Sequence, residues 1–271
     1  MPRKQSIPQN ARNLNRYPVL ASFTDNLHRS QISVPHSPFT EWASVYVLQR
    51  CTVTTVERFA ENTALQKDNQ QVHLRNCCFV LLQLIHSIKS LQADGIEEVS
   101  CDLSRLILVQ SQEDKPPVLA VFPEDATHMT LCENRKTLCQ TVLSALYFFL
   151  RINQANDLDE CEMNGERLAE SVAHIFKAIA KVLLEEKASS LSQAKWFLEY
   201  MLWGPVDVKI LDCRKDFNNV LQRWLDFQRA QMVKSIISQL HNSHLQVYEE
   251  YQLVFLLNSS VKSLKNIISK L

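Results

Sequence analysis

Asp102 sits in the run 98–110, EVSCDLSRLILVQ, a polar turn followed at once by a short apolar stretch. Such a carboxylate would suit phosphoryl transfer. In the pattern His-Arg-Asp-Leu-x-x-x-Asn the Asp accepts the proton of an attacking hydroxyl and the Asn holds a magnesium ion. Asp102 and Leu103 keep that pattern, Ser100 and Cys101 replace His and Arg, and Ile107 stands where the Asn would be. Ile offers no oxygen to a hard cation. A base without a metal site cannot offset the charge that develops on the transferred group. Asp102 is therefore expected to be a degenerate catalytic-loop carboxylate that holds its turn by accepting hydrogen bonds, and no catalytic residue is assigned.

Other reactive constellations are thinner. His241-x-x-His244 has a spacing open to metal on a helix, but no H-E-x-x-H pattern, cysteine or carboxylate pair completes a site. Solvated histidines at a helix end are expected there, with no metal and no cofactor. The eight cysteines form no C-x-x-C pair, and the opening MPRKQSIPQNARNLNRYP lacks the apolar core of a signal peptide. They read as reduced thiols of a cytoplasmic chain, mostly buried. No G-x-S-x-G nucleophile motif occurs. With only three glycines, Gly95, Gly165 and Gly204, no glycine-rich phosphate loop can be built.

Two serines stand in phosphorylation-type motifs. Ser6 has Arg3 before it and Pro8 after it; Ser33 has Arg29 before it and Pro35 after it. Both spacings resemble phosphorylated ligands of 14-3-3 proteins, in which an Arg cluster grips the phosphate. A flexible stretch between them would let both engage a 14-3-3 dimer. Pro35 and Pro38 make a minimal P-x-x-P without a well-placed flanking base, a weak case for an SH3 adaptor.

The elements that would position these residues follow from pattern. A chain that is 46% hydrophobic and 21% charged can bury a core, and its formal net charge of zero argues against nucleic acid as a partner. No apolar run approaches a membrane span, so no insertion is expected. Residues 1–41 hold five of the nine prolines and show no helical period, so a disordered tail is expected. Residues 43–48 read as a strand and 54–65 as a short helix with a threonine N-cap. The wide apolar stripe over 72–91 reads as a buried central helix ended by Gly95. Residues 106–109 and 118–122 read as a β-hairpin beneath it. Helices are expected over 138–152, 166–184, 191–202 and 217–240, the third stopped by Trp203-Gly204-Pro205, and one helix or a pair over 244–271. The class is mainly α with a small β-hairpin.

That order resembles the C-lobe of a protein kinase. More specifically, QAKWFLEYMLWGP (193–205), RWLDFQRAQMVKSII (223–237) and YQLVFLLNSSVKSL (251–264) resemble C-terminal segments of the PEAK/pragmin family of pseudokinases. The resemblance implies a truncated, C-lobe-like pseudokinase domain over 42–205 and a helical dimerisation extension over 206–271. It implies dimerisation with itself or a related pseudokinase through Leu221, Trp224, Leu225, Met232, Ile236, Leu240 and Phe255. It further implies assembly of SH2 and SH3 adaptor proteins and a cytoplasmic, cytoskeleton- or focal-adhesion-associated role in cell motility. The segment 120–124, AVFPE, stands where Asp-Phe-Gly would be and carries no matching metal ligand or glycine. An N-lobe of five strands and a helix needs roughly 55–60 residues. Only 41 precede Trp42, so the N-lobe is expected to be missing, through a shortened form or an incomplete gene model. The rival expectations are a monomeric regulatory module for a different partner and a divergent active kinase.

Overall fold

The computed structural model describes residues 19–26, 42–48, 50–63, 70–99, 103, 106–112, 115–120, 135–152, 162–163, 166–167, 169–205, 216–239 and 245–271. The first strands, β1 (Val19–Asn26) and β2 (Trp42–Leu48), pair antiparallel, with Asn26 opposite Trp42 and a register slip between Val19 and Ala21. This corrects the expectation of an unstructured stretch across 1–41. A short alternating run there finds a partner in β2, and composition averaged over the whole stretch hides it. The ribbon exposes Leu20, Phe23 and Val47.

A three-stranded antiparallel sheet follows, in the order β3 (Thr52–Thr55), β5 (Ile107–Gln110), β6 (Val118–Ala120). Shorter pairs join β4 (Glu98–Val99) to β7 (Lys136–Thr137) and β8 (Glu162–Met163) to β9 (Glu166–Arg167). The helices are α1 (Val56–Thr63), α2 (Gln70–Ala93), α3 (Leu138–Leu150), α4 (Glu170–Leu184), α5 (Ser190–Trp203), α6 (Phe217–Gln239), α7 (Val247–Asn258) and α8 (Val261–Ile268). The helix expected from residue 166 starts at Glu170, because Glu166 and Arg167 are taken by β9. Of the one helix or pair expected over 244–271, the chain forms the pair, broken at Ser259, and the Ser260 hydroxyl caps α8 by accepting from the Ser263 amide.

Helix α2 is the axis of the molecule. Every residue from Cys77 to Ile85 is buried, so the helix is covered on all sides, as its wide apolar stripe predicts. Gln83 sits inside that run with no exposed surface. Its amide nitrogen donates to the carbonyls of Phe79 at 3.2 Å and Pro117 at 3.1 Å, and its Oε1 accepts from the Leu119 amide at 2.9 Å. The side chain thereby acts as an extra strand partner and fastens β6 to α2.

Helix α5 ends at Gly204, whose amide donates to the Tyr200 carbonyl at 2.7 Å. A Cβ there would run into that carbonyl and the Tyr200 ring, so the stop demands glycine for close approach. Beyond it, α7 returns to the axis. Phe79 of α2 meets Tyr248 and Tyr251 edge-on at centroid distances of 4.9 and 5.4 Å. Trp203 lies 5.3 Å from Tyr248 and 5.9 Å from Phe255. One apolar cluster therefore runs from Val56 through α2 and α5 to Ile267, across the expected boundary at residue 205.

Candidate functional site

Asp102 lies outside the described residues, as do Ser100 and Cys101. The amide of Glu57 donates to the Leu103 carbonyl at 3.4 Å and that of Val56 to the Leu106 carbonyl at 2.8 Å, which ties Leu103 and Leu106 to the start of α1. Leu103 and Leu106 pack on the core. Ile107 belongs to β5, opposite Thr55 on one side and Ala120 on the other. At the position where a metal-binding Asn would project, the chain has a half-buried aliphatic rung of a ladder. Among the described residues no group of three or more His, Cys, Asp or Glu could hold a metal ion. The segment 121–124, His241, His244, Ser6 and Ser33 fall outside the described residues.

Titratable groups, buried or half-buried, collect where α2, α5 and α7 meet. Lys195 pairs with Glu199 at 2.9 Å, Lys89 Nζ donates to Ser192 Oγ at 2.9 Å, and the His86 ring stands edge-on to Tyr251 at 5.1 Å. Burial, with Lys195 and then Lys89 adding to it, lowers His86 to about 4, so its imidazole is neutral at pH 7. Burial raises the Glu199 carboxyl, and its Lys195 partner works the other way. A second pair, Cys77 Sγ and His73 Nε2, stands at 3.5 Å on α2. Desolvation pushes the Cys77 thiol far up and His73 down. That is opposite to the thiolate–imidazolium pair a nucleophile needs. The first cluster is a joint between helices, and the second is an i, i+4 contact within α2. The sequence reading missed them because i, i+4 polar pairs inside apolar runs look like interruptions.

The residues expected to mediate self-association divide by burial. Leu221, Leu225, Met232 and Phe255 are buried in this chain's own core. Trp224 and Ile236 pack against it half-buried, and Leu240 falls outside the described residues. The outer face of α6 carries other apolar side chains: Phe227 at 58% exposure, Val233 at 53% and Ile237 at 59%. Phe227, Ala230 and Ile237 follow an i, i+3, i+10 spacing on one face, with Val233 at its edge and Arg223 and Lys234 on the same face. Sequence reasoning passed over these because the stripe containing Leu221 and Leu225 is the more regular.

No family model matches the chain, and no curated protein matches it in sequence. Among solved structures, the pseudokinase PEAK1 (Sugen kinase 269) is similar with a TM-score of 0.64 and 19% identity, over 96% of this chain and 76% of that one. A likeness at that identity speaks for architecture alone. The axis helix, the hairpin held beneath it and the helices packed around them make up a mainly helical, kinase-like fold.

Proposed function

We propose that this chain is a non-catalytic, kinase-derived scaffold that pairs with a second copy or a related pseudokinase through the outer face of α6. The observation that carries the reading is the pair of apolar faces on that helix. One is consumed by the core, while Phe227, Val233 and Ile237 stay in water, more apolar surface than an isolated exposed residue would leave. Two further observations support loss of catalysis: Ile107 is a rung of β5, and the solved structure of similar fold is a pseudokinase by its name. Within this reading, phosphorylated Ser6 and Ser33 recruit 14-3-3 proteins, and SH2 and SH3 adaptors join the assembly in the cytoplasm near the actin cytoskeleton.

Light scattering after gel filtration, over a hundredfold range of concentration, tests the pairing. The wild-type chain is expected as a dimer. Phe227→Glu with Ile237→Glu is expected to give a folded monomer with an unchanged melting temperature. A wild-type monomer at every concentration would remove self-association and favour a regulatory module for a different partner. Catalytic loss is tested separately by thermal shift. ATP with magnesium is expected to leave the melting temperature unchanged, whereas a magnesium-dependent rise abolished in Asp102→Ala would restore the active-kinase reading.

A further inference from the structure

The C-terminal helix α8 lies beside the first turns of α6, and between them runs an open groove of about 620 Å³. Asn218, Asn219 and Gln222 line it from α6, and Val261, Lys262, Lys265 and Asn266 from α8. The lining holds two ammonium groups and no carboxylate, on a chain whose formal net charge is zero. Lys265 Nζ donates to Asn218 Oδ1 at 2.9 Å and lies over the Phe217 ring at 5.6 Å, which holds its charge at the groove. Lys262 has no partner among the described residues and is exposed. Two carboxylates flank the lining and are held by its amides: Asp216 accepts from Asn219 Nδ2 at 3.0 Å and Asp226 from Gln222 Nε2 at 2.8 Å. The groove also lies along the first turns of two helices, whose free amides and dipoles add positive potential.

We propose that this groove binds an acidic peptide segment, one rich in Asp and Glu. Three features select that partner. The two lysines are point charges of a kind that suit single carboxylates; the lining contains no arginine fork of the type that grips a phosphate on two edges. The four side-chain amides each offer a donor and an acceptor, the pair that a peptide backbone presents along its length. A lipid surface is a poorer fit, because electrostatic anchoring on lipid takes a cluster of about 4–8 basic residues and the lining offers two, with half-buried Val261 as its one apolar side chain. The groove shares no residue with the Phe227–Ile237 face, so it stands or falls independently of the dimer.

The test is fluorescence anisotropy of a labelled Gly-Asp-Glu-Glu-Asp-Gly peptide titrated with the full chain. Its neutral counterpart, Gly-Asn-Gln-Gln-Asn-Gly, serves as reference. The acidic peptide is expected to bind at least tenfold more tightly than the neutral one and to weaken as salt is raised. Lys262→Glu with Lys265→Glu is expected to abolish binding. Lys262→Glu alone, which disturbs no contact of the fold, is expected to weaken it about tenfold. Lys234→Glu, about 18 Å further along the same helix, is expected to bind as wild type. Equal affinity for the two peptides, or a Lys262→Glu variant that binds like wild type, would overturn the proposal. So would preferential binding to phosphatidylserine vesicles, or to a phosphoserine peptide over the carboxylate one.

Discussion

Gln83 and His86 stand one turn apart on α2 and carry opposite lessons about polar groups in a core. Gln83 satisfies its own amide and completes two backbone groups of the hairpin, Pro117 O and Leu119 N. Gln83→Leu leaves those backbone groups buried and unmatched, and a loss of about 2–4 kcal/mol is expected from urea denaturation. His86 is neutral in the fold. Its ordinary value is 6.5 and the folded value about 4, so the unfolded chain takes up a proton between those pH values and the folded chain does not. The stability this group contributes is therefore full above about 6.5 and lost as pH falls toward 4. Full linkage gives close to ~2 kcal/mol between pH 7 and 5, and the partial exposure of the ring reduces it to ~1. Glu199, with its carboxyl raised, acts in the other direction: its contribution is full at low pH and fades as pH rises through the raised value. Lys89, Lys195 and Tyr251 face the same joint. His86→Gln is expected to flatten the fall in stability between pH 7 and 5, and a variant that keeps the wild-type slope would assign that slope elsewhere.

Elements in this chain are ended and joined by specific side chains. Arg229 of α6 reaches across to the C-terminal end of α7, donating from Nε and Nη2 to the Leu256 carbonyl at 3.0 Å and from Nη2 to the Ser259 carbonyl at 2.7 Å. It fills acceptors that a helix end leaves open and places a cation at the negative pole. Arg229→Met keeps most of the packing and loses the donors; a cost of about 1–3 kcal/mol is expected, read as a lower urea midpoint. Gly204→Ala forces a methyl into Tyr200, and a loss of about 1–3 kcal/mol is expected in the same assay. The element-level pattern was readable where periodicity and stop signals agree. The apolar stripe of α2, the Trp203-Gly204-Pro205 stop and the long α6 are all visible in the sequence. Periodicity shows that α6 has an apolar side. It cannot say that the Leu221 and Leu225 side is spent on this chain's core while Phe227 and Ile237 stay outside, since that depends on where α7 and α8 fold back. The anchoring role of Gln83 was equally hidden, because its partners lie more than thirty residues away in sequence.

At the scale of the molecule, the segments before and after residue 205 share one core. Tyr251, Phe255, Leu264 and Ile267 are buried in the same cluster as Phe79 and Phe197. A chain cut after Pro205 would bare the Phe79 and Trp203 faces, and aggregation or loss of cooperative melting is expected of it; a soluble fragment with a sharp transition would show two independent units instead. The sequence showed the kinase-like order of helices and hairpin, because each step is written in local pattern. The fusion of the two halves is carried by aromatic contacts between distant segments, which no local window contains.

Cys77 and Cys78, adjacent on α2 and fully enclosed, give this architecture a built-in clock. A thiol there meets an alkylating reagent only when the helices around α2 part, so its labelling rate is an opening frequency weighted by the intrinsic reactivity of an exposed cysteine. Peptide mass spectrometry over hours of reaction should show, among the described cysteines, half-exposed Cys51 modified first and the α2 pair last. The lag between them measures how rarely the centre of the protein breathes.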